Sequence, residues 1–126
     1  MEDVTASSES PAEVGARRAA EYLQLVQDGR TEDAEALLTG LSDTRELVFV
    51  GAGLTTTARR IGRGLPTAMR AQSSTRQVLL GQLRDRARGD VEGLRTWLRR
   101  AAEEVVTVTQ LAETDRRRLG DQAPIS

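Results

Sequence analysis

Seven small aliphatic residues, Val91, Leu94, Leu98, Ala101, Val105, Val108 and Ala112, are separated by steps of three and four in strict alternation. That spacing stacks all seven on one face of an α-helix, whereas a strand, with its period of two, would scatter them over both faces. The pattern predicts a helix of about Val91 to Leu119, opened by Asp90 as a cap. A stripe of this length must bury itself against other apolar surface, and helices are the natural cover.

The rest of the chain supplies that cover. Only three of its 126 residues are aromatic, Tyr22, Phe49 and Trp97, so any core is built from Leu, Val and Ala with a little Ile and Met. Such side chains fill helix–helix seams more readily than the interior of a sheet. Ser10-Pro11-Ala12-Glu13 reads as a capping box with proline at the first helical position. It predicts a helix to about Asp28, stopped by Gly29, with Ala19, Tyr22, Leu23 and Val26 buried. Thr31 reads as the cap of a short helix ended by Gly40, and Ser42 or Asp43 as the next cap. Leu47, Val50, Leu54, Thr57 and Ile61 then share a face before Gly62, Gly64 and Pro66 end the pattern. Residues 67–88 are expected to be helical with Met69, Leu80, Leu83 and Ala87 inward, broken near Ser73-Ser74-Thr75.

Leu47–Val50 and Val105–Thr109 are rich in strand formers. The helical face runs through both stretches and into their flanks, so both are expected to be helix. The expectation is an all-α fold: a compact bundle of four to five helices with a long C-terminal amphipathic helix. Residues 1–9 read as a disordered acidic tail, 10–119 as a single helical domain and 120–126 as a short C-terminal tail.

All 18 basic residues are Arg, as in proteins of high-GC bacterial origin, and the chain has no Lys, Asn, His or Cys. That removes the thiolate nucleophile, the imidazole base, the Schiff-base lysine and the usual zinc ligands. The start MEDVTASSESP lacks the basic and apolar segments of a signal peptide. The apolar run Leu47 to Leu54 has eight residues against the ~18 to 20 of a membrane span. A cytoplasmic, non-membrane protein is the expectation.

Val48-Phe49-Val50-Gly51-Ala52-Gly53 resembles the strand–glycine loop–helix opening of a dinucleotide-binding fold. Thr56 stands where the third glycine belongs, and Gln72 and its neighbours stand where an acidic residue would meet the ribose. Gly51 and Gly53 are better read as small residues that let helices approach closely. Trp97 is followed by Leu98 and Arg99, so the chain also lacks the Trp-x-Gly turn of the small secreted helical hairpins.

Charge is unevenly distributed. Residues 1–40 hold nine acids and three arginines, while residues 51–89 hold eight arginines and the single acid Asp85. Arg59, Arg60, Arg63, Arg84, Arg86 and Arg88 are therefore candidates for phosphate contact. The pI near 5.6 and the absence of aromatic residues in that block weigh against a nucleic-acid module. The carboxylates Glu32, Asp33, Glu35, Glu103 and Glu104 read as helix-dipole partners and as i, i+4 pairs, Arg99 with Glu103 and Arg100 with Glu104, rather than as catalytic acids.

On the long helix, Trp97 and Leu111 fall beside the seam and Val106 lies off its other side, a width expected to exceed what four shorter helices can cover. Val91, Leu94, Trp97, Leu98, Val105, Val108 and Leu111 are thus the expected surface for self-association or a partner protein. The sequence favours a non-enzymatic helical interaction protein, a small regulator or adaptor, with no cofactor and no metal. A nucleic-acid-binding regulator using the arginines of 59–88 is the alternative.

Overall fold

The computed structural model describes residues 9–121 and contains, among them, five helices and no strand. The capping box forms as read: the Ser10 hydroxyl accepts from the Glu13 N–H at 3.1 Å, and the Glu13 carboxylate accepts from the Ser10 N–H at 3.3 Å. Helix α1 (Pro11–Gln27) follows and closes on Gly29, whose φ of 74° is open to glycine. The Gly29 N–H donates to the Val26 carbonyl and the Arg30 N–H to that of Leu25, a Schellman closure.

That closure changes the start of α2 (Thr31–Gly40). Arg30 is already fixed as the residue that finishes α1, so it also becomes the N-cap of α2, with no side-chain capping bond. Thr31, expected at the cap, lies one step inside the helix. Asp43 caps α3 (Thr44–Gly62), accepting from the Arg45 N–H at 2.9 Å. Helix α4 (Thr67–Arg86) is unbroken at Ser73-Ser74-Thr75. The Thr75 hydroxyl donates back to the Ala71 carbonyl beside that turn's helical bond, and the Ser73 hydroxyl donates across to Glu104, so both are satisfied without interrupting the helix. Helix α5 (Val91–Asp121) follows Asp90 and, at 31 residues, extends about 46 Å.

The strand-prone stretches at 47–50 and 105–109 lie inside α3 and α5, and the Thr109 hydroxyl donates to the Val105 carbonyl. The expected tails fall largely on residues 1–8 and 122–126, outside the described residues, while Gly120 and Asp121 prolong α5. No helix among the described residues is long and apolar enough to cross a membrane.

Helix α3 is the centre of the bundle, packed most extensively on α5 and on α1, with α2 and α4 on the flanks. Its contact with α1 is made at backbone distance: a Cβ placed on Gly15 would come within 2.6 Å of Phe49 Cβ, and one on Gly53 within 2.9 Å of Ala19 Cβ. Its contact with α5 is made through Gly51, which faces the indole of Trp97. The two glycines of the Val48–Gly53 segment thus serve close helix packing in mid-helix, and the dinucleotide-loop resemblance has no structural counterpart.

Arg95 ties α5 to the end of α2. Its guanidinium donates to the carbonyls of Leu38, Thr39 and Leu41, each at 3.0 Å, and pairs with Glu92. These carbonyls belong to the last turn of α2 and its exit; that of Leu38 also accepts from the Leu41 N–H at 3.0 Å, and Arg95 adds a charged donor to all three, finishing the helix terminus.

Candidate functional site

The surface expected on α5 is largely internal. Leu94, Trp97, Leu98, Val105 and Val108 are buried within the chain's own core, and Val91 and Leu111 are half-buried against it. The apolar width of α5 does not exceed what the other helices cover, because glycine at 51 makes room for the Trp97 ring and α3 closes over the seam. The sequence carried that signal as Gly51, but nothing local links a glycine in α3 to a tryptophan 46 residues on.

The expected i, i+4 pairs on α5 are replaced by ties to other helices. Arg99 donates from Nε and Nη2 to the Glu35 carboxylate of α2, the latter at 2.8 Å. This pair holds Glu35 below the usual carboxylate range, first through the hydrogen bond and then through the charge of Arg99. Burial pushes the phenol of Tyr22 above its ordinary value, and the Glu35 carboxylate adds to the shift. Glu104, only 4% exposed, accepts from the Ser73 hydroxyl at 3.0 Å and pairs with Arg76. A buried carboxylate tolerates its surroundings only when so engaged. Among the described residues no three acidic side chains come together in a way that could hold a metal ion.

Two open surfaces on α4 stand out. One is its outward face. From Ala71 to Leu83 the only charged residue is Arg76, which turns inward to Glu104. Val78 is 61% exposed and Leu79 57%, with Ala71, Thr75 and Gln82 exposed around them. A groove of about 330 Å³ runs beside this face towards α5, lined by Leu79, Leu80, Leu83, Arg100, Glu103 and Thr107 among others. The sequence reading missed this face because Val78 and Leu79 do not join the three-four stripe of α4; they stand out only once the inward side is known.

The other surface is the corner between α3 and α4, where the candidate arginines divide. Arg59 and Arg63 meet Arg70, Ser73, Ser74 and Gln77 around a pocket of about 350 Å³. Arg84, near the far end of α4, and Arg88, just past it, turn on Asp85, at 3.3 and 3.9 Å. The sixteen-residue rise from Arg70 to Arg86 separates the two groups by about 24 Å. Arg60 lines a separate, smaller hollow of about 250 Å³ between α1 and α3. The block of positive charge in the sequence therefore divides into two clusters and the separate Arg60, and one further member, Arg76, is spent on Glu104.

The chain matches no protein-family model, no curated protein and no solved structure.

Proposed function

We propose that the protein is a non-enzymatic helical interaction module that pairs with a second copy of itself through the outward face of α4. The observation that carries this reading is the exposure of Val78 and Leu79 at the middle of a face with no outward charge, in a chain that is 29% charged. Two large aliphatic side chains, each a little over half exposed at the centre of a helix, forfeit about 1–2 kcal/mol each that full burial would supply. A neutral face also meets its own copy across a two-fold axis without like-charge repulsion, which a charged surface would not. The groove towards α5 offers Leu79 of the partner copy a seat beside Leu80 and Leu83, with Arg100 and Glu103 on its α5 wall. The reading extends to a cytoplasmic location, in keeping with a chain that contains no cysteine.

Sedimentation equilibrium over a concentration series tests it. The wild type should dimerise, and Val78→Glu with Leu79→Glu should be a monomer with unchanged helix content and thermal midpoint. A wild type still monomeric at about 0.1 mM, a standard free energy weaker than about −5.5 kcal/mol, removes the proposal.

A further inference from the structure

We propose that the pocket at the α3–α4 corner binds the phosphate group of a small phosphorylated molecule, gripped by Arg59, Arg63 and Arg70 with Ser74 and Gln77. This inference does not rest on self-association, since the pocket lies on the α3 side of α4 and the groove beside Leu79 on its α5 side.

Three features lead to it. The charged residues lining the pocket are all arginines, whereas the Glu9–Phe49 pocket, the α4–α5 groove and the pocket beside Arg84 each include a carboxylate. Among the described residues no carboxylate is within ion-pair distance of Arg59, Arg63 or Arg70, whereas Arg18, Arg76 and Arg99 each meet one on another helix. Three guanidinium groups gathered without a counter-charge repel one another, and a dianion between them reverses that cost.

The arginines are also not engaged in finishing α3. The carbonyls of Arg59, Ile61 and Gly62 accept from the backbone N–H groups of Arg63, Gly64 and Leu65 at 3.1 to 3.2 Å. The forks of Arg59 and Arg63 are left to offer paired donors of the geometry that phosphate oxygens accept.

Gln77 supplies the third feature. Both polar atoms of its amide are buried and without a hydrogen-bond partner among the described residues, and the residue lines this pocket. An unpaired buried amide is costly, and a phosphate oxygen would take the Nε2 donor. The Ser74 hydroxyl adds a further donor to the same wall. Ser73 on the pocket wall donates to Glu104, and the charge of that carboxylate is also met by Arg76.

The volume is that of a small-ligand site. A duplex would instead need a continuous basic track, and the second arginine cluster is about 24 Å away with its charge partly met by Asp85.

Isothermal titration calorimetry with inorganic phosphate and with pyrophosphate, at fixed ionic strength, tests the assignment on the full chain. One saturable site is expected, weakened about tenfold or more in the double variant Arg59→Gln with Arg63→Gln, as for loss of charged donors, and unchanged in Arg84→Gln with Arg86→Gln. Gln77→Leu removes the unpaired amide, so it should keep or raise the thermal midpoint while weakening pyrophosphate. That combination separates a ligand contact from a structural one. No saturable binding in the millimolar range overturns the proposal, as does equal weakening by both double variants. A titration with duplex DNA completes the set: tight binding that both clusters support equally would mark a diffuse nucleic-acid surface and overturn the pocket.

Discussion

Gly51→Ala should destabilise this protein, although the same change at an exposed helix position stabilises. In a helix interior, alanine is worth roughly 0.8–1.0 kcal/mol over glycine. At Gly51 the new Cβ would lie 2.1 Å from Cζ3 and 2.2 Å from Cη2 of Trp97, well inside van der Waals contact. The indole is a rigid ring, 2% exposed, and cannot swing aside as a flexible side chain would. Either the α3–α5 spacing opens or the ring leaves its rotamer, at an overpacking cost of about 3 kcal/mol, the upper end of the usual range. Subtracting the propensity gain leaves a loss of about 2 kcal/mol. With an unfolding entropy near 2.1 cal/mol/K per residue, that lowers the thermal midpoint by about 8 °C. Circular dichroism at 222 nm measures it. Gly81 is the internal control: it lies within α4 with nothing within 4 Å of its would-be Cβ, so Gly81→Ala should raise the midpoint by a few degrees. In a Trp97→Leu background the Gly51→Ala penalty should vanish, since the clashing ring atoms are gone. A Gly51→Ala midpoint equal to or above wild type would refute the reasoning.

Leu98 is fully buried, so Leu98→Asp should unfold the chain rather than release a folded monomer; a cost of about 4–5 kcal/mol is expected, read as loss of the 222 nm signal. Arg95→Ala should cost about 2–3 kcal/mol in urea unfolding, because three carbonyls at the end of α2 lose a charged donor together, and Arg95→Lys should recover little of it. Tyr22 is the only tyrosine, so absorbance near 295 nm reads its ionisation alone, and it should ionise above the ordinary value of about 10. Between the unfolded and the raised folded pKa, the native state holds a proton that the unfolded chain has lost. This contribution to stability therefore falls as pH rises above about 10, and Tyr22→Phe should remove that part of the alkaline slope.

What the sequence revealed depended on how far each determinant reaches along the chain. The capping box at Ser10 and Glu13, the glycine stop at 29 and the Asp43 cap are settled within a few residues, and all three form. Thr31 failed as a cap because the three-residue turn before it is already committed to closing α1. The alternation from Val91 to Ala112 identified which side of α5 is buried, but periodicity has no term for what lies opposite. The same pattern serves a seam between molecules or a core within one, and here Gly51 and α3 decide for the core. Arg99 and Glu104 sit four residues from plausible mates on their own helix, yet reach across to Glu35 and to Ser73 and Arg76. Local spacing counted the charges correctly and could not rank near partners against distant ones. The arginine pocket was half legible: Arg59 and Arg63 stood out by charge, whereas Ser74 and Gln77 enter only because α4 folds back on α3.

The modest anchoring of α4 divides the molecule into two tiers of persistence. Helices α1, α3 and α5 interlock over backbone-close crossings, while α4 is held mainly by Leu80, Ser73 and the Glu104–Arg76 pair. Its amides should exchange with solvent as a block, from an opened form in which the three-helix spine stays intact. The Glu104 carboxylate acts as a locating pin in that process. It offers a returning α4 little reward for any docking that fails to bring Ser73 and Arg76 back to it, so the helix closes in one register. Both surfaces that α4 carries are thereby recovered, in the same place, each time the molecule breathes.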